Sequence, residues 1–198
     1  MHRAGLGCDL EHRHAATVVD VTTTILLARH GETDWNLEGR FQGHADPPLN
    51  DTGRAQAREL AAQLASTPFD AVYSSDLARA HQTAEIVAAS HEVPVVTDTG
   101  LREIDVGSWS GLTRAEIEER FPGAQHHDGE SRANHLSRVV ATVTRIAHEH
   151  PGERILVVSH GGSLRALRRH CTGEPVHPIE NCGVYELRFE DGALAAID

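Results

Sequence analysis

A chain of 198 residues, 39% hydrophobic and 24% charged, has the composition of a globular protein and the length to bury one substantial core. It contains no apolar run near the roughly 20 residues that cross a bilayer, so no membrane partner is expected. A formal net charge of −11 argues against a general nucleic-acid binder, which needs clustered Lys and Arg, yet a few arginines focused in a pocket can still hold a small anion.

Cys8, Cys171 and Cys182 are odd in number, widely spaced and without CxxC spacing, which implies no disulfide framework and a reducing, cytoplasmic setting. The N-terminal stretch carries scattered charges, no hydrophobic signal core and no clear periodicity. It predicts a flexible extension over residues 1–21 ahead of one domain over 22–198, and makes Val21 a candidate translation start.

Thr23-Thr24-Ile25-Leu26-Leu27-Ala28 is short, apolar and β-branched at its start, the profile of a strand buried on both faces of a parallel sheet. It stops at Arg29-His30-Gly31. A polar loop with Gly39, Gly43, Pro47 and Pro48 follows. Alanines, Leu60 and Leu64 then repeat at helical spacing from Thr52 to about Ser66, just ahead of Pro68. The pattern next predicts a strand over Ala71 to Ser74, a helix from about Asp76 to Ala89, and a short strand over Val93 to Thr97.

Between Gly100 and Gly129 one helix is expected, at Thr113 to Phe121. Ser131 can cap a long helix reaching about His150, where Pro151-Gly152 ends it. Ile155-Leu156-Val157-Val158 is a second strongly apolar strand, stopping at Ser159-His160-Gly161-Gly162. A helix to about Thr172 and a closing pair of strands, Val184–Glu190 and Ala193–Asp198, complete the chain. Strands alternating with helices define an α/β fold, a three-layer αβα sandwich with a largely parallel central sheet. An exposed edge of that sheet could support a homodimer.

Two of these strands end in the same His-Gly pair. Ligands in open α/β sheets bind outside the carboxyl ends of the strands, so neighbouring strands would bring His30 and His160 together. The alternative is two unrelated histidines, each satisfied by a local backbone partner. A metal site is the next possibility for paired imidazoles, but Arg29 would set a cation beside the ion, and no HExxH or Cys-His cluster appears, so no metal is expected. Arginine suits a phosphate better, because its planar fork donates two hydrogen bonds to phosphoryl oxygens. Arg79 is a second candidate, in the first turn of a helix that follows a strand; otherwise it is a surface residue paired with Asp76 or Glu85.

Leu27-Ala28-Arg29-His30-Gly31-Glu32-Thr33-Asp34-Trp35-Asn36 resembles the signature of the histidine phosphatase superfamily, in its phosphoglycerate mutase-like branch. The resemblance continues through Gly39-Arg40-Phe41-Gln42-Gly43, Tyr73-Ser74-Ser75-Asp76-Leu77-Ala78-Arg79-Ala80, Leu101-Arg102-Glu103, Gly107-Ser108-Trp109, Gly129-Glu130-Ser131 and Ser159-His160-Gly161-Gly162, and covers nearly everything after Thr22. It implies that His30 is the nucleophile, that Arg29, Arg79 and His160 complete a phosphate pocket together with Gly161, and that Asn36 and Gln42 add hydrogen bonds. It implies further that Glu103 protonates the leaving oxygen, and that no cofactor is needed. Residue type alone would allow Asp105 that role equally, or leave Glu103 as an ion pair with Arg102. A protonated His160 could help two arginines to balance phosphoryl charge without a metal ion.

The substrate implied is a small phosphomonoester. Mutases resembling this chain carry a longer segment between the acid and the Gly-Glu-Ser motif, which excludes water so that the phosphoryl group returns to substrate. The short interval from Glu103 to Gly129 favours hydrolysis over an isomerase. A non-catalytic phosphate-binding module would be marked by loss of a pocket residue, and every matched position is retained.

Overall fold

Strand β1 (Thr23–Arg29) lies beside β4 (Arg154–Ser159), parallel and in register from Thr24 opposite Arg154 to Arg29 opposite Ser159. The computed structural model describes residues 21–124 and 128–197; the expected extension before Val21 and His126 and His127 lie outside them. Around the β1–β4 pair the sheet continues with β2 (Ala71–Ser74) and β3 (Val95–Thr97) on one side, all four parallel. The other side is closed by β5 (Val184–Glu190) and β6 (Ala193–Ala196), an antiparallel hairpin whose first strand pairs with β1. The sheet order is β3-β2-β4-β1-β5-β6.

Between these strands run α1 (Asp34–Leu37), α2 (Asp51–Leu64), α3 (Ala78–Ala88), α4 (Arg114–Arg120), α5 (Arg132–Glu149) and α6 (Gly161–Thr172). Alternation along β1 sends Ile25 and Leu27 to one face, against Val139, Val143 and Ile146 of α5 and Leu164 and Leu167 of α6. Leu26 and Ala28 point to the other face, against Leu60 of α2 and Ala80, Ala84 and Val87 of α3. The result is the three-layer αβα sandwich expected from the strand and helix alternation. Both faces of the central strands are buried, which is why their sequences are apolar runs. No helix among the described residues is long and apolar enough to cross a membrane.

Differences from the expected elements sit at their ends. The helix expected from Asp76 opens at Ala78, because the Asp46 carboxylate reaches from the preceding loop and accepts the Ala78 N–H at 2.6 Å. Pro94, which has no N–H to give a ladder, shortens the third strand to Val95–Thr97. Helix α1 was not signalled by periodicity: it is one turn held by a capping box, in which Thr33 Oγ1 accepts the Asn36 N–H and Asn36 Oδ1 accepts the Thr33 N–H.

The turn after β1 packs directly on the start of α2, where a Cβ on Gly31 would sit 2.5 Å from the Gly53 carbonyl and one on Gly53 would run into the Glu32 carbonyl. Backbone meets backbone there, so neither side can yield by rotamer change. Gly53→Ala is expected to destabilise the protein by about 1–3 kcal/mol, as overpacking does in a closed site. A urea midpoint unchanged from the parent would contradict this packing.

Candidate active site

The in-register pairing carries the two strands to a common end, where the His30 N–H donates to the Ser159 carbonyl at 3.0 Å. The imidazoles of His30 and His160 follow side by side, ring centroids 5.2 Å apart and planes at 61°. Both are buried, at 3% and 0% exposure. They differ in their bonds. His30 Nδ1 lies 2.6 Å from the Gly31 carbonyl, which can only accept, so Nδ1 carries the hydrogen and Nε2 keeps its lone pair. Among the described residues neither ring nitrogen of His160 has a hydrogen-bond partner.

Arg29 and Arg79 flank the pair. Arg29 Nη1 donates to the Ile179 carbonyl at 2.6 Å, and its guanidinium lies against Gly161, the residue that opens α6 directly after His160. Arg79, only 1% exposed, donates to the carbonyls of Ala45 (2.7 Å) and Gly43 (2.9 Å). Among the described residues neither forms an ion pair, and the Nε of each is buried without a partner. The alternative of a surface Arg79 paired with Asp76 is thus excluded, since Asp76 is held in a bidentate pair with Arg102 at 2.7 and 2.5 Å. Buried cations left unneutralised are costly, and an anion among them removes that cost.

Burial above all, then the charges of Arg79 and Arg29, hold His30 well below the usual histidine range, although the Gly31 bond works the other way. Burial, Arg79, His30 and Arg29 do the same to His160. Burial and these neighbouring cations thus favour the neutral form of both imidazoles. Burial lowers the Arg79 guanidinium to about 10, which leaves it a cation at neutral pH.

Glu103 is the carboxyl brought to the start of α6, two residues after His160. Its Oε2 accepts the Gly162 N–H of the α6 N-terminus at 2.8 Å, and its Oε1 the Ile104 N–H at 2.9 Å. A Cβ on Gly162 would collide with this carboxylate. Asp105, equal by residue type, is engaged elsewhere, its Oδ1 accepting the Gly107 N–H at 2.9 Å. The ion pair of Glu103 with Arg102 does not form, because Arg102 turns to Asp76. Asn36 spends its Oδ1 on the α1 cap, leaving its Nδ2 donors for other partners. Gln42, 9% exposed, precedes the Gly43 carbonyl that Arg79 holds, and its Oε1 is buried without a partner.

Several contributing residues carried no sequence signal. Asn181 Nδ2 donates to the His30 carbonyl at 3.0 Å from 151 positions away. Thr83 Oγ1 accepts the Gly31 N–H at 3.0 Å and donates to the Arg79 carbonyl, tying α3 to the end of β1. His44 Nε2 lies 2.9 Å from the Glu103 carbonyl, and His135 is buried 3.8 Å from Glu103 Oε1. No group of three or more metal-ligating side chains is assembled among the described residues.

Fold and site together define an α/β protein with two arginines and two buried imidazoles grouped at the carboxyl edge of a parallel sheet. The model of the histidine phosphatase superfamily (branch 1) matches residues 25–197, so the chain belongs to that family and is an enzyme of the histidine phosphatase class. It is 40% identical over 184 residues to phosphoglycerate mutase-like protein 4 of Arabidopsis thaliana, covering 85% of this chain and 80% of that one. It is 41% identical over 159 residues to a metal-independent phosphoserine phosphatase of the same plant, covering 73% and 67%. Among solved structures, Bacillus stearothermophilus YhfR superposes with a TM-score of 0.82 at 33% identity, covering 88% and 95%.

Both histidines bind a proton less readily folded than unfolded, where the ordinary value is 6.5. As pH falls through that value the unfolded chain takes up protons first, so stability is present above about 6.5 and declines below it. His160→Asn removes one contribution, and the gap between its unfolding free energies at about pH 7.5 and about pH 5 should be smaller than in the parent. An unchanged gap in urea titrations would contradict a neutral His160.

Proposed function

We propose that the protein hydrolyses small phosphomonoesters, without a metal ion, through a phosphohistidine formed on Nε2 of His30. The observation that carries this reading is the bond from His30 Nδ1 to the Gly31 carbonyl, which leaves a neutral imidazole with its Nε2 lone pair beside two buried arginines. A neutral imidazole is a good nucleophile, and covalent catalysis divides one hard displacement into two easier ones.

In the first step the lone pair of His30 Nε2 attacks phosphorus while the ester P–O bond breaks. The leaving oxygen takes its proton from Glu103, and the alcohol departs. In the second step Glu103, now a carboxylate, removes a proton from water as the oxygen attacks phosphorus. The P–N bond breaks, its electron pair returns to Nε2, and inorganic phosphate and protonated Glu103 result. Arg29, Arg79 and the Gly161 N–H neutralise the equatorial oxygens, with Asn36 and Gln42 donating from the opposite loop. A phosphate dianion among the arginines would offset their charge and favour protonation of His160.

Hydrolysis rather than transfer is supported by the short chain between Glu103 and Gly129. Much of it is taken up by α4 and a small core of its own, with Val106, Trp109, Leu112 and Ile117 packed together. Little chain remains to seal the site from water. The similarity to a phosphoserine phosphatase supports the same reading, while the similarity to a mutase-like protein favours a phosphoglycerate mutase-type isomerase as the second. Two unpaired thiols, Cys171 and Cys182, fit a reducing cytoplasm.

Release of inorganic phosphate from p-nitrophenyl phosphate in EDTA is expected at the full rate, and His30→Ala should lower kcat by about 10³-fold or more, as loss of a nucleophile does. Retention of most activity in His30→Ala, or its loss in EDTA, would sink this reading. Interconversion of phosphoglycerates outpacing phosphate release would establish the isomerase.

A further inference from the structure

The inward stripe of α5 is apolar at Val139, Val143, Ile146 and Ala147, yet it begins with His135, which is only 4% exposed. An imidazole where the helical repeat calls for an aliphatic side chain must be held by polar partners. One is Ser163 of α6, whose Oγ lies 2.9 Å from His135 Nε2. The same hydroxyl donates its single hydrogen to the Arg102 carbonyl at 3.1 Å. It can therefore only accept from the imidazole, and Nε2 of His135 carries the hydrogen.

That N–H stands 3.8 Å from Glu103 Oε1. The distance is too long for a hydrogen bond but within reach of a small shift of either side chain. The groups facing the ring are Glu103, Arg138, Glu130 and His44, and His160 also lies within electrostatic reach. Arg138 is occupied by Glu130, at 2.6 Å, and by the carbonyls of residues 100, 102 and 103. His44 is held by the Glu103 carbonyl. His135 is thus a side-chain donor placed to follow a change of charge on the Glu103 carboxyl. Burial, the largest influence on it, keeps the ring neutral, so it serves as a dipole rather than a competing cation.

We propose that His135 is a positioning residue for Glu103: its Nε2–H, resting on Ser163 while Glu103 is protonated, moves to Oε1 when the carboxyl loses its proton to the leaving oxygen. This rests on the role of Glu103 proposed above. The donor would stabilise the carboxylate only as it forms, which lowers the barrier to proton donation without changing substrate binding.

The consequence is a dependence on the leaving group. An alkoxide needs the proton and p-nitrophenolate does not. With glycerol 2-phosphate, Glu103→Gln should lose about 10²-fold or more in kcat/KM, which reports the steps up to departure of the leaving group, with a far smaller loss on p-nitrophenyl phosphate. His135→Val and His135→Asn should lose about tenfold in kcat/KM on glycerol 2-phosphate through kcat, with KM unchanged, and stay within about twofold in kcat/KM on p-nitrophenyl phosphate. His135→Gln, whose amide N–H reaches a similar distance, should restore most of the loss.

An equal fall on both substrates in His135→Asn and His135→Val, or no fall on either, overturns the proposal while leaving Glu103 as the acid. If Glu103→Gln itself shows no preference between the substrates, the role of Glu103 fails and this inference with it. His135→Asn keeps the test open should the valine variant not fold, because it retains a polar group in the pocket.

Discussion

The register of β1 against β4 is the constraint on which the site depends. Side chains alternate along a strand, so a slip of one residue would turn Ile25 and Leu27 from α5 and α6 toward α2 and α3 and separate the two imidazoles. The apolar faces on both sides forbid the slip. Packing in the core, which has no chemistry, thus sets the 5.2 Å between the His30 and His160 rings.

Beyond the strand ends, the site is assembled from fixed backbone dipoles. The Gly31 carbonyl selects the tautomer of His30, the Ile179, Ala45 and Gly43 carbonyls aim the arginines, and the Gly162 N–H at the start of α6 holds Glu103. Carbonyls orient a guanidinium without cancelling its charge, which a carboxylate would do. Arg40, Arg102 and Arg138, nearby, each have a carboxylate partner. Arg29 and Arg79 form no ion pair among the described residues, with Glu103 acting on them only from a distance, so two cations stand together in a chain that carries a net −11.

Burial, with the same charges behind it, holds both imidazoles below the usual histidine range, and in the function proposed this suits His30. For His30 neutrality is the reactive state. In that function one cluster of cations serves both binding and activation, which are not separable by mutating either arginine alone.

Much of this was legible in the amino-acid sequence. Apolar runs of β-branched residues marked β1 and β4, helical spacing marked α2 and α5, and the repeated His-Gly at two strand ends singled out His30 and His160 before any role was attached to them. Resemblance to the histidine phosphatases then supplied the order of events. These signals are local, because periodicity and capping involve residues a few positions apart. Only the tertiary structure decided which nitrogen of His30 keeps its lone pair, that Arg102 turns to Asp76 and leaves Glu103 to the start of α6, and that Asn181, Thr83 and His135 pack around these residues. Each rests on a partner distant in sequence or on the direction of one hydrogen bond, and neither leaves a pattern along the chain.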